Sequence, residues 1–150
     1  MAQSLAKVLV HITFSTKDRR PLIPPEARER MNSYLCGILK DVGSPAIQVN
    51  CVADHAHILC RLSRTRSIAD VVEEVKKGSS AWTKSGPLGL SEFYWQAGYG
   101  AFSVSQSNAD AVREYIRNQE EHHKKMSFRD ELLALLRRHE VEYDEEHLWT

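Results

Sequence analysis

Segments of strand-like and helix-like hydrophobic period follow one another along this chain in the order β-α-β-β-α-β, and that order constrains the fold more than any single motif does. From Leu5 to Phe14, residues Val8, Val10, Ile12 and Phe14 take one face and Lys7, Leu9, His11 and Thr13 the other, as on a strand. Pro24-Pro25 opens a helix running to about Asp41. After the break at Gly43-Ser44-Pro45, residues Ala46 to Ala53 and His55 to Leu62 read as two strands of a hairpin turning at Asp54. Ser67 with Asp70 forms a capping box ahead of Ile68, Val71, Val72 and Val75, which recur at helical spacing; this helix fades near Gly78 or runs on to Trp82. Phe93 to Ser105 reads as a final strand, bent at Gly98 and Gly100. Ser107 with Asp110 opens a third helix through about Glu121, and Ser127 with Asp130 a fourth carrying Leu132, Leu133, Leu135 and Leu136. The expected fold class is α+β: a ferredoxin-like split βαβ sandwich (βαββαβ, antiparallel four-stranded sheet) with two added C-terminal helices. The acidic tail from Glu140, aromatic at its end, is expected to dock.

A length of 150 residues suits one domain spanning residues 1–150. No apolar run approaches the roughly 20 residues of a membrane helix, and Met1-Ala2-Gln3-Ser4 lacks the character of a signal peptide. Cys36, Cys51 and Cys60 show no CxxC spacing and sit in apolar runs, which argues against disulfides or a cysteine zinc site. The expected location is the cytoplasm. Twenty basic and twenty acidic residues leave no net charge, which disfavours nucleic-acid binding through bulk charge but leaves room for a locally basic groove.

His55-Ala56-His57 starts a predicted strand, so both imidazoles project from one face and form a two-pronged metal ligand. Two histidines that merely share a half-buried surface are the plainer explanation, and a metal site needs a third protein group. The third helix offers one. Val112, Tyr115, Ile116 and Gln119 form a single stripe, with His122 and His123 just beyond. Val112 and Ile116 suit a core face, whereas an amide at Gln119 needs hydrogen-bond partners there. If this helix lies over His55 and His57, then His55, His57 and the Gln119 oxygen hold a divalent ion beside the Tyr115 hydroxyl. A phenol is a poor nucleophile, and a cation that neutralises phosphate oxygens is what its attack on a phosphodiester needs.

At these residues the chain resembles the single-tyrosine HUH transposases of insertion sequences, most of all their REP-associated tyrosine transposase branch. The resemblance spans nearly the whole chain. Its opening strand and loop match His11-Ile12-Thr13-Phe14-Ser15-Thr16-Lys17 and Arg19-Arg20-Pro21-Leu22-Ile23, and its histidine motif matches Asp54-His55-Ala56-His57-Ile58-Leu59. Its last strand matches Trp95-Gln96 through Gly98 to Ser105, and its tyrosine helix Tyr115-Ile116-Arg117-Asn118-Gln119 with His122-His123-Lys124-Lys125. The resemblance implies a transposase that cleaves and rejoins single-stranded DNA near hairpins. It implies a 5′-phosphotyrosine on Tyr115, and magnesium or manganese on His55, His57 and Gln119, with His123 as a possible further ligand. It also implies a homodimer, often with the tyrosine helix completing the partner's site. Ala56 departs from the bulky residue usual between the histidines and implies looser packing rather than lost chemistry.

Basic residues bracket the proposed site: Lys17, Arg19 and Arg20 in one loop, Arg61 after the histidine strand, Lys76 and Lys77 on the second helix, and Lys124 after the tyrosine helix. Singly each reads as solvated surface; together they suit a phosphate-tracking groove for DNA. Two alternatives share much of this pattern. One is a domesticated relative that holds DNA hairpins without cutting them. The other is a zinc hydrolase built on His55, His57 and His122 or His123, although no carboxylate stands at an obvious general-base spacing.

Overall fold

The computed structural model describes residues 2–149. Among these, β1 (Leu9–Ser15), β2 (Ala46–Cys51), β3 (His55–Arg61) and β4 (Gly100–Val104) form one open antiparallel sheet in the order β2-β3-β1-β4. The first crossover helix, α1 (Arg28–Asp41), joins β1 to β2, and α2 (Ile68–Ser85) lies between β3 and β4. This is the expected ferredoxin-like split βαβ fold. Beyond it come α3 (Ala109–Arg117), α4 (Gln119–His123) and α5 (Phe128–Arg138).

Strand alternation sends the two faces of the sheet to different cores. Val10, Ile12, Phe14, Ala56, Ile58 and Cys60 pack with Met31, Leu35 and Leu39 of α1 and Val71, Val72 and Val75 of α2. On the opposite face Leu9 and Leu59 meet Ala109 and Ile116 of α3, while Phe102 meets Phe128, Leu132, Leu135 and Leu136 of α5. Ala56 stands across from Phe14 in the ladder, and both are fully buried, so the large ring fills the space beside the small residue. A Schellman motif ends α1: Ser44 N–H donates to Leu39 O and Gly43 N–H to Lys40 O, with Gly43 at φ 74°. Gly78 lets α1 and α2 approach closely, since a Cβ there would stand 2.8 Å from Ile38 Cδ1.

Several boundaries depart from the sequence expectation for identifiable reasons. The strand expected over Phe93 to Ser105 is present only from Gly100; the stretch before it is a loop with one bridge, Thr16 to Trp95. Side chains satisfy that loop's polar groups in place of a ladder. Lys76 Nζ donates to Gln96 O (2.8 Å), Ala97 O (3.3 Å) and Gly98 O (2.6 Å), and Trp95 Nε1–H donates to Ser79 Oγ. Ser67 and Ser127 do accept from the N–H of Asp70 and Asp130, but Ser107 caps nothing, because a 3₁₀ turn over Gln106–Asn108 precedes α3. The expected third helix breaks at Asn118 into α3 and α4. There Asn50 Nδ2 donates to the carbonyls of Ile116 (2.9 Å) and Arg117 (3.2 Å), satisfying a helix end in mid-run.

The acidic tail docks as expected through Leu148 and Trp149 against the Phe102–Phe128 cluster, with the Arg19 guanidinium 4.7 Å from the Trp149 ring. Among the described residues no helix is long and apolar enough to cross a membrane.

Lys76→Ala strips three backbone carbonyls of their donor. We expect it to lower stability by about 1–3 kcal/mol in denaturant titration, the scale of hydrogen bonds from a charged donor, here to partly buried carbonyls. A change within about 0.5 kcal/mol would return Lys76 to the class of solvated surface cations.

Candidate active site

His55 and His57 stand side by side on the α3 face of β3, 1% and 0% exposed. Opposite them Glu131 enters from α5. Its Oε1 lies 2.8 Å from His57 Nε2 and 3.4 Å from His55 Nε2. Its Oε2 accepts from the Tyr115 hydroxyl in a very short contact and from Gln119 Nε2–H at 3.0 Å. Gln119 Oε1 lies 3.3 Å from His55 Nε2. Two imidazoles, an amide and a phenol from three elements thus converge on one carboxylate in a single chain. The break at Asn118 is a single residue, and the chain restarts at Gln119, which is 1% exposed.

Further groups orient these. Asp54 Oδ1 lies 2.7 Å from His55 Nδ1, which turns Nε2 toward Glu131, and Phe128 covers the ring at 4.6 Å. His11 of β1 places Nε2 2.8 Å from His57 Nδ1. Burial, reinforced by His57, lowers the His11 pKa to about 3, so His11 is neutral. With His57 Nε2–H donating to Glu131, hydrogen-bond logic makes Nδ1 the acceptor and His11 the donor.

The charges are strongly coupled. Burial disfavours a charged His55, but Asp54 and Glu131 outweigh it and raise its pKa to about 9. Burial likewise works against the Glu131 carboxylate, yet hydrogen bonds from His55, His57 and Tyr115 hold it well below the usual carboxylate range. Burial lowers His57, and Glu131 offsets only part of that. Tyr115 is pushed well above an ordinary phenol, first by burial and then by the adjacent carboxylate.

His55 Nε2, His57 Nε2 and a Glu131 oxygen lie within 4.8 Å of one another and are buried. Two neutral-capable imidazoles and one carboxylate are a donor set that suits a small divalent cation. The buried charge of Glu131, facing both Nε2 atoms, is what such an ion would match. His123 lies at the margin, its ring 5.2 Å from His55 and its Nε2 3.7 Å from Asp54 Oδ1. His122 faces the Tyr115 ring at 4.8 Å instead.

The profile of the family described as "Transposase IS200 like" matches residues 4–119 of this chain. The chain belongs to the IS200-like transposase family. Relatives include the transposase for insertion sequence element IS200 of Salmonella typhimurium and that of Salmonella typhi. Each is 27% identical over 119 residues, covering 76% of this chain and 78% of the relative. Among solved structures, a candidate transposase from Deinococcus radiodurans R1 aligns with a TM-score of 0.64 at 22% identity, covering 79% of this chain and 98% of that one. A REP-associated tyrosine transposase bound to a REP hairpin aligns with a TM-score of 0.59 at 14% identity, covering 82% and 73%. Both share the fold. Membership in a transposase family makes this chain an enzyme of DNA transposition by class.

In this IS200-like transposase the basic residues are engaged unequally. Lys17 Nζ lies 6.0 Å from the Tyr94 ring centroid, and Lys17–Arg19 form a 3₁₀ turn with Asp18 and Arg19 in left-handed backbone. Arg20 pairs with Glu92, Lys124 with Glu121, and Arg61 donates to Ala6 O, all at exposed positions. Lys76 is committed to carbonyls, while Lys77 has no side-chain partner among the described residues.

Glu131, Asp54 and His11 are the site residues that sequence reasoning did not select. Glu131 had a legible signal. It sits on the same helical stripe as Phe128, Leu132 and Leu135, where a carboxylate has no place unless it is paired.

Proposed function

We propose that this transposase nicks and rejoins single-stranded DNA beside a hairpin, with Tyr115 as nucleophile. His55, His57 and Glu131 would hold a divalent metal, magnesium or manganese, and Gln119 would offer an additional oxygen. The observation that carries this reading is the meeting of the Tyr115 hydroxyl and both imidazoles on Glu131. A cation held there would supply charge that neutralises the phosphate oxygens and lowers the energetic penalty of a phenolate. Tyr115 Oη attacks phosphorus, and the new O–P bond forms as the bond to the 3′ oxygen breaks. The proton of Tyr115 passes to Glu131 Oε2, and the departing 3′ oxygen takes one from water. A 5′-phosphotyrosine and a free 3′-hydroxyl result, and attack by an incoming 3′-hydroxyl reverses the step without ATP.

Tyr115 and the metal ligands of one chain already adjoin, which favours cleavage in cis within the homodimer that the family resemblance implies. Lys17, Arg19, Arg20, Arg61, Lys77 and Lys124 are the proposed phosphate contacts, and the cytoplasm the proposed location. A protein that only holds hairpins would have no use for a phenol hydrogen-bonded to the metal-binding carboxylate.

Incubation with hairpin oligonucleotides should give a denaturant-resistant protein–DNA adduct that mass spectrometry maps to Tyr115. A chelator should abolish it; an adduct equally strong under chelation would contradict the reading. His57→Ala is expected to remove the adduct while retaining most of the DNA affinity, since the metal meets the scissile phosphate and not the hairpin. Gel-shift titration tests this, and parallel loss of both would contradict it. His11→Leu should lower manganese affinity by about 10–100-fold in titration, the usual effect of removing the partner of a metal-binding histidine. Unchanged affinity would make His11 a packing residue.

A further inference from the structure

A cavity of about 490 Å³ opens between α3, α5 and the edge of β4, and its floor reaches Tyr115, Glu131 and His11. That volume lies in the range of about 300–1,000 Å³ typical of sites for small organic groups. Its walls are apolar, from Val112 on α3 and Leu135 on α5. Its rim is polar and exposed, carrying Asn108, His122, Lys125 and Arg138. Neither Lys125 nor Arg138 has an ion-pair partner among the described residues. Apolar walls with a ring at the entrance suit a flat heterocycle, and free cations at the rim suit the phosphates that carry it. A cavity whose floor is the nucleophile must receive whatever adjoins the reacting bond.

We infer that this cavity takes one unpaired nucleotide of the DNA strand adjoining the scissile phosphate, its base turned in against Val112 and Leu135 and its backbone phosphates against Lys125 and Arg138. The inference rests on the strand-nicking reading and adds a position at which that site reads its substrate. Ala111 on α3 and Ala134 on α5 line the cavity from opposite sides and are exposed, so a larger residue at either fills the cavity without entering the core.

The test separates binding from chemistry. The probe is a hairpin oligonucleotide with a randomised single-stranded flank, in which one abasic residue is walked through the flank. Equilibrium affinity is measured in magnesium buffer with the Tyr115→Phe protein, which makes no adduct. One position is expected to weaken binding by about tenfold when abasic, the scale of one lost base-stacking contact. In Tyr115→Phe proteins that also carry Ala111→Trp or Ala134→Trp, the intact oligonucleotide should bind as weakly as the abasic one, and the abasic penalty should vanish. A flat abasic scan, or a penalty that survives both tryptophan variants, would overturn the inference. Free mononucleotides that compete while the abasic scan stays flat would also overturn it, and would assign the cavity to an unattached nucleotide instead. Base-sensitive binding in a protein whose wild type forms no adduct would uphold the cavity and sink the nicking reading, so the two failures are distinguishable.

Discussion

Replacing Glu131 by alanine is expected to abolish adduct formation, with a rate loss of at least about a hundredfold, the lower end for removing a group that takes a proton in the transition state. The loss should match that of His57→Ala, because Glu131 serves both halves of the centre. One oxygen faces the two imidazoles and the other holds the phenol and the Gln119 amide. Glu131→Ala also strands these donors in a buried site, so the apo protein should lose about 3–5 kcal/mol, as when one member of a buried charge pair is removed. Glu131→Gln keeps the shape and separates chemistry from folding. It should fold, yet bind manganese weakly and form no adduct. An adduct at near wild-type rate with Glu131→Gln would return the third ligand to Gln119 and remove Glu131 from the reaction.

Linkage gives a second readout of the same carboxylate. His55 has a folded pKa raised from 6.5 to about 9, so its contribution to stability is complete below pH 6.5 and is lost as pH rises through about 9. Chelator-treated protein should therefore weaken across that window in denaturant titrations. Glu131→Gln removes one of the two carboxylates responsible, so its curve should be flatter over the same range.

Tyr115→Phe is expected to eliminate the adduct completely, since no other hydroxyl contacts Glu131 among the described residues. The phenylalanine keeps the ring packing against His11, His57 and His122. Stability should change by no more than about 0.5–1.5 kcal/mol, the net worth of an ordinary hydrogen bond. Manganese and hairpin affinity should stay near wild type. Residual adduct mapping to another residue would mean that the phenol near the carboxylate is structural.

Much of this architecture is legible in the chain, and the exceptions have physical causes. Period-two alternation identifies the strands and separates His55 and His57 from Ala56, because a pleated backbone enforces the two faces regardless of context. The serine caps at Ser67 and Ser127 are local, and they form. The strand expected at Phe93 fails because Lys76, far along the chain, supplies the donors that a ladder would have supplied. The helix expected to pass unbroken through Gln119 fails because Asn50 on β2 terminates it. Gln119 nevertheless reaches His55 and Tyr115 the ring of His57, because a break of one residue between them preserves the stripe. Glu131 was hidden for a different reason. Nothing local says that α5 folds back across the sheet, and only the carboxylate's place on an apolar stripe hints that it must be paired.

The central claim is that His55, His57 and Glu131 bind one divalent cation beside Tyr115 of the same chain. Its most direct test is anomalous scattering from a crystal of the protein grown with manganese. The account predicts a single strong peak bonded to His55 Nε2, His57 Nε2 and a Glu131 oxygen, with the Tyr115 hydroxyl alongside. Manganese bound elsewhere, with Glu131 still hydrogen-bonded to both imidazoles, would contradict it.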